Sequence, residues 1–165
     1  LASLKPSLSL NGLTTLTPEA ATALAKYGGP CLLLDGITTL SDETAKALAD
    51  YECKILSICG LTTLSEVAAT ALAKYQGEWL LLNGLATLAP NVAKAIAEFS
   101  GRTLSIGGLT SLDAETARAL AAAKAWNGSL PNITAFEMPN SVEIATILAT
   151  TKRRLKLPNL RRIPP

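Results

Sequence analysis

The chain has 165 residues, 48 % of them hydrophobic but only 4 % aromatic, with 15 basic residues, 13 acidic ones and no histidine. That length is enough to bury one continuous core without disulfides or metals, and the shortage of rings means the core is built from Leu, Ile and Ala in small repeated layers. The near balance of charge argues against a wholesale electrostatic partner, no stretch approaches the ~18 apolar residues of a membrane span and no charged leader precedes an apolar segment, while the lack of histidine removes the usual general base near neutral pH and the commonest metal ligand.

From the N-terminus, the first element is the triplet Leu8-Ser9-Leu10. Its period-two alternation predicts a short strand with the outer leucines turned into the core and the middle residue turned away. Gly12 and Leu13 follow, then a threonine pair, Leu16, and the segment Thr17-Pro18-Glu19, which reads as a helix start: a capping oxygen, a proline suited to the first turn, and an acid at the positive end of the helix dipole. Ala21, Leu24 and Ala25 then fall at helical spacing, and Gly28 stands where a left-handed helix terminus is expected.

The same unit recurs. Gly12, Gly36, Gly60, Gly84 and Gly108 are each 24 residues apart, each followed by Leu or Ile and preceded by an L-x-L triplet: Leu32 to Leu34, Leu56 to Ile58, Leu80 to Leu82, Leu104 to Ile106. Leu40, Leu64, Leu88 and Leu112 close the turns, Ser41-Asp42-Glu43 and Asp113-Ala114-Glu115 begin further helices, and Gly77 and Gly101 are expected as left-handed helix ends like Gly28. A sixth unit is degenerate around Leu130 and Ile133, and a seventh is cut short at Leu155, Leu157 and Leu160. The prediction is one domain over 1–165, with regular repeats over 7–126 and degenerate or terminal repeats over 127–165. One strand and one helix per 24 residues cannot bury their apolar faces alone but can when stacked, giving an α/β chain with a parallel sheet of neighbours ~4.8 Å apart.

These motifs, L-x-L-x-G-[LI]-T-x-L followed by A-x-A-L-A, resemble the leucine-rich-repeat family, most of all bacterial variants with a true helix on the convex side. The resemblance covers about residues 4 to 160. It implies a solenoid (horseshoe or arc) of six to seven repeats, with the sheet on the concave face and helices on the convex face, and recognition of a protein or ligand; it transfers no catalytic or binding residues. Where the family's usual pattern has Asn or Cys after the strand, this chain has Leu13, Ile37, Leu61, Leu85 and Leu109, so apolar stacking is expected in place of an asparagine ladder, helped by threonine hydroxyls. Units one and three agree at 15 of 20 positions and units one and two at 12, and the middle triplet residue alternates as Ser9, Leu33, Ser57, Leu81, Ser105. Growth by doubling of a pair of units accounts for both.

The strand register places three columns of outward residues. The first is Ser7, Cys31, Ile55, Trp79, Thr103 and Asn127; the second Ser9, Leu33, Ser57, Leu81, Ser105 and Ser129; the third Asn11, Asp35, Cys59, Asn83 and Gly107. Cys31, Leu33, Ile55, Trp79 and Leu81 thus gather on a face that ought to be wet, rimmed by Asp35, Asn83 and Asn11, as in a protein contact site. The expected partner is a protein or peptide. The competing expectation is a structural or self-assembling spacer of a larger protein, because neither Leu1 to Pro6 nor Leu155 to Pro165 has the amphipathic pattern of a cap.

Other chemistry lacks its parts. The last fourteen residues hold six basic residues, Lys152, Arg153, Arg154, Lys156, Arg161 and Arg162, and no acidic one; without aromatic interleaving they read as a solvated helix end rather than a nucleic-acid site. Cys31, Cys53 and Cys59 form no CxxC pair and read as free thiols. The acceptor-like triplets Asn127-Gly128-Ser129 and Asn132-Ile133-Thr134 matter only in a eukaryotic secretory setting. The threonine pairs break at Ala86 and Ser111, so they form no regular water-ordering array. With no GxSxG, P-loop or HExxH and with carboxylates placed for capping, a non-enzymatic chain without cofactor or metal is expected.

Overall fold

A three-residue strand has little stability of its own and gains it only when every neighbour repeats the same alternation. That is the arrangement in the computed structural model, which describes residues 6–26, 28–134, 136, 140–151 and 155–160. Among them β1 (Leu8–Ser9), β2 (Cys31–Leu33), β3 (Ile55–Ser57), β4 (Trp79–Leu81) and β5 (Thr103–Ser105) alternate with α1 (Pro18–Ala25), α2 (Asp42–Ala49), α3 (Glu66–Ala73), α4 (Pro90–Ala97) and α5 (Ala114–Ala122); α6 (Ser141–Ala149) follows. The five strands form one parallel sheet in chain order, and Leu8, Leu32, Leu56, Leu80 and Leu104 pair in a single row. The expected α/β class with a parallel sheet is therefore observed.

Five strands are regular, in the units expected to be regular. Among the described residues beyond β5, isolated parallel bridges continue the pairing, Leu104 with Trp126 and Ser129 with Lys156. The 24-residue register would set Leu104 opposite Gly128, so the pairing slips by two residues here. Trp126, which takes the pairing position, is fully buried, and the chain regains the 24-residue spacing by the turn at Leu130 and Ile133.

The helices begin where local chemistry dictates. Thr17, Ser41, Ser65 and Asp113 cap α1, α2, α3 and α5, accepting hydrogen bonds from the Ala20, Thr44, Ala68 and Thr116 amides at 3.3, 3.1, 2.9 and 2.7 Å; such caps contribute about 1 kcal/mol each. Ala89 supplies no side-chain cap to α4, which relies on Pro90 in the first turn. The Glu19 carboxyl lies below its ordinary value because backbone and Thr17 hydrogen bonds favour the charged form. Each helix packs on the next, and Ala21, Ala45, Ala69, Ala93 and Ala117, 24 residues apart, are completely buried. Only a methyl fits at that layer.

Two glycine expectations are corrected. Gly28 has φ 62° and is left-handed as predicted, but Gly77 and Gly101 have no positive φ. They are glycines because a Cβ at Gly77 would lie 2.0 Å from the Tyr75 hydroxyl and 2.5 Å from the Cys53 carbonyl, and one at Gly101 2.2 Å from the Phe99 ring. Room for the buried rings, rather than backbone freedom, sets the residue.

The turn after each strand is closed by an amide three residues on, as in Ile37 N–H to Leu34 O at 3.1 Å and Leu61 N–H to Ile58 O at 3.2 Å. Ile37, Leu61, Leu85 and Leu109 are buried as the apolar stacking reading requires. Threonines do supply hydroxyl bonds between units: Thr62 and Thr110 donate to the Thr38 and Ala86 carbonyls, both at 3.2 Å. The buried Thr44 and Thr116, at the starts of α2 and α5, reach back to the Leu16 and Leu88 carbonyls at 3.2 and 3.1 Å.

Candidate functional site

Inward triplet residues such as Leu32, Leu34, Leu56, Ile58, Leu80 and Leu82 are fully buried, which leaves the alternate residues on the sheet face turned away from the core. Cys31, Ile55, Trp79 and Thr103 pair side by side in the first column, and Leu33, Ser57, Leu81 and Ser105 in the second. The structure therefore brings Cys31, Leu33, Ile55, Trp79 and Leu81 together on adjacent strands. Trp79 is 39 % exposed; Cys31, Leu33, Ile55 and Leu81 are half-buried. Ser57 lies between Leu33 and Leu81 at ~4.8 Å strand spacing and is itself buried, with Trp79 and Ile55 in the neighbouring column.

The third column is where the sequence reading needs revision. Asp35 and Asn83 do not stand as a free polar rim. One carboxylate oxygen of Asp35 accepts from the Cys59 amide at 2.8 Å and from the Ser57 hydroxyl at 2.6 Å; Asn83 Oδ1 accepts from the Gly107 amide at 2.9 Å and the Ser105 hydroxyl at 2.7 Å. Asn11 Oδ1 likewise accepts from the Asp35 amide at 2.9 Å. Polar bonds between units thus run along the outer face from Asn11, Asp35 and Asn83, each one residue before a glycine, rather than being wholly replaced by apolar stacking. It also gives the Ser/Leu alternation a chemical reason: a unit carrying Asp35 or Asn83 is followed by one whose serine can donate to it. The signal was present in the sequence as the coincidence of Asn or Asp in one unit with Ser-x-Cys or Ser-x-Gly in the next.

The end of the first column departs from expectation as well. Asn127 does not continue the row after Thr103, because the register has slipped; its Nδ2 donates to Ser105 Oγ at 3.0 Å and its Oδ1 accepts from the Ser129 amide. Of the basic tail, Lys152, Arg153, Arg154, Arg161 and Arg162 lie outside the described residues.

The three thiols are unpaired. Cys53 donates to the Ile55 carbonyl at 3.1 Å and lies 2.9 Å from the Tyr75 hydroxyl, which donates to the Cys53 carbonyl at 2.8 Å. Burial raises the Cys53 thiol and the Tyr75 phenol above their ordinary values, so this pair is a protonated core contact and the opposite of an activated nucleophile. Cys59 is engaged by Ser57 at 3.3 Å. Among the described residues no group of three His, Cys, Asp or Glu could hold a metal ion, and no helix is long and apolar enough to cross a membrane.

The helical side carries features the sequence did not announce. A groove of about 440 Å³ runs between α2 and α3, lined among others by Lys46, Asp50, Glu66, Val67, Thr70 and Lys74. Its cations and carboxylates are mixed, so it offers no single sign of charge to a ligand. The chain matches no protein-family model, and no curated protein is significantly similar to it.

Proposed function

We propose that the chain is a leucine-rich-repeat solenoid acting as a non-enzymatic recognition module, which binds a protein or peptide on the concave sheet face through Leu33, Ile55, Trp79 and Leu81, with Cys31 beside them. The observation that carries this reading is the exposure of Trp79 next to three half-buried aliphatic side chains on rigid, paired strands. An indole at the centre of a small apolar patch is the usual anchor of a protein contact, and at ~25 cal/mol per Å² its further burial would contribute on the order of 1–2 kcal/mol. Asp35 and Asn83 hold the strands in place, and their remaining lone pairs and amide hydrogens border the patch. The role of the polar column is to keep the apolar columns in register.

The two tryptophans make the test direct, since Trp126 is fully buried and Trp79 is not. Peptides selected on the chain from a random library should shield Trp79 from acrylamide quenching and shift its emission to the blue. Trp79→Ala with Leu81→Ser should abolish their binding while leaving the circular dichroism unchanged. Peptides that bind the double variant as tightly as the parent chain would sink the reading.

A further inference from the structure

Asn83 is followed by Gly84, as Asn11 is by Gly12 and Asn127 by Gly128, and these are the three Asn-Gly pairs of the chain. An asparagine so placed can be attacked by its own backbone, because the glycine after it has no side chain to shield its amide nitrogen and turns freely. The amides of Gly12, Gly84 and Gly128 make no hydrogen bond among the described residues, and all three asparagines are exposed. The nucleophile is thus equal at the three sites. The carbonyl it attacks is not.

Asn83 Oδ1 accepts from the Ser105 hydroxyl at 2.7 Å and from the Gly107 amide at 2.9 Å. Two donors aimed at one oxygen stabilise the negative charge that develops there as a nucleophile adds to the carbon. Asn11 Oδ1 has the Asp35 amide alone, because Leu33 stands where a serine would donate, and Asn127 Oδ1 has the Ser129 amide alone. The leaving nitrogen differs too. Asn127 Nδ2 donates to Ser105 Oγ at 3.0 Å, whereas Asn83 Nδ2 has only the weakly accepting Cys59 sulfur at 3.6 Å.

The product also has a place prepared for it. Asp35 holds the corresponding position and takes the same pair of donors, the Ser57 hydroxyl at 2.6 Å and the Cys59 amide at 2.8 Å. A carboxylate at position 83 strengthens both bonds by its charge, and its neighbours in the third column, Cys59 and Gly107, bear no carboxylate. At position 11 it would instead face Asp35 on the adjoining strand, where like charges repel. At position 127 it would lose the donor that Ser105 now accepts.

We propose that Asn83 is a site of self-modification, converted to aspartate through the amide of Gly84. The Gly84 nitrogen bonds to Asn83 Cγ, the Cγ–Nδ2 bond breaks, and Nδ2 leaves as ammonia with the Gly84 amide proton, closing a cyclic imide. Water then adds at Cγ and the new C–N bond breaks. One water proton returns to the Gly84 nitrogen, and the side chain is left as a carboxylic acid that ionises. The net change is amide and water to carboxylate and ammonium, with nothing oxidised or reduced. It adds a negative charge to the outer sheet face just beyond Leu81 of β4, and it does not depend on what that face binds.

The test is to hold the folded chain in warm neutral buffer, digest it in acid over a time course, and follow the three Asn-Gly pairs by mass spectrometry. Asn83 should convert first, and to aspartate. Ser105→Ala removes one donor and should slow Asn83 about fivefold. Leu33→Ser gives Asn11 a second donor and should speed that site by a similar factor. In urea, where no donor is held in place, the three rates should converge. An unconverted Asn83, conversion of Asn11 or Asn127 ahead of it, an order of rates that survives in urea, or rates that ignore both substitutions in folded variants overturns the proposal.

Discussion

The regular middle of the molecule and its C-terminal part meet one stacking problem in two ways. In the middle, Gly36, Gly60, Gly84 and Gly108 let the chain press against a carbonyl of the preceding unit, closer than any side chain would permit. In the C-terminal part the same position is asparagine within Leu130-Pro131-Asn132-Ile133 and Leu157-Pro158-Asn159-Leu160. Asn132 donates to the Gly107 and Gly108 carbonyls at 3.3 and 3.4 Å, and Asn159 to the Pro131 carbonyl at 2.6 Å. The turns themselves are alike, since Ile133 and Leu160 close them from the same relative positions as Ile37 and Leu61. The lesson is that the turn does not require glycine. Close approach of neighbouring units requires it, and where asparagine takes the position a side-chain amide bridges the units instead.

The sharpest way to break this comparison is to add one methyl. Gly60→Ala places a Cβ 2.1 Å from the Asp35 carbonyl oxygen and 2.9 Å from the Ile37 carbonyl; backbone must move, and a loss of about 3 kcal/mol is expected in urea unfolding. Asn132→Gly, the reverse exchange, should cost only about 1 kcal/mol, through one shared hydrogen-bond donor and the freedom of the new glycine. Equal losses at the two positions would show that turn conformation, not closeness, sets the residue.

A second distinction lies in pH. Tyr75 is buried in the middle, stacked on Phe99 at 6.2 Å between ring centres, and its folded-state pKa is raised, first by burial and then by Cys53. The folded chain holds the phenolic proton more tightly than the unfolded one, so this contribution is intact below the ordinary tyrosine value of about 10 and is lost as pH climbs above it. Cys53, raised by burial, acts with the same sign from the ordinary thiol value upward. Urea midpoints measured from pH 8 to 11 should fall across the upper part of that range, and Tyr75→Phe should flatten the fall while lowering the midpoint at pH 8. An unchanged slope in the variant would place the alkaline sensitivity elsewhere.

The smallest effect is expected on the surface of the helices. Lys94 and Glu115 pair at 3.5 Å across α4 and α5 with both side chains more than half exposed, so Lys94→Ala should shift stability by less than about 0.5 kcal/mol. A larger loss would mean that helix-to-helix charge, rather than the alanine layer, governs the spacing of the middle units.

Much of the site was legible in the residue pattern, because period-two alternation on a strand assigns sides without knowledge of neighbours. That reasoning placed Cys31, Leu33, Ile55, Trp79 and Leu81 on one face, where the strand pairing puts them. It misjudged Asp35 and Asn83, whose role depends on which serine lies across the strand, and Gly77 and Gly101, whose role depends on where the Tyr75 and Phe99 rings fall. It also carried the 24-residue register through Asn127, unaware that Trp126 is swallowed by the core.

What the sequence determined by itself is the period, the strand and helix of each unit, the caps at Thr17, Ser41 and Asp113, and the buried rows, since each follows from contacts within one unit or from exact repetition of it. What only the tertiary structure decided is the pairing of Asp35 with Ser57 and Cys59, the close carbonyl at each interior glycine and the slip at Trp126. Those depend on distances between units, and local chemistry does not set how closely one layer rests on the next.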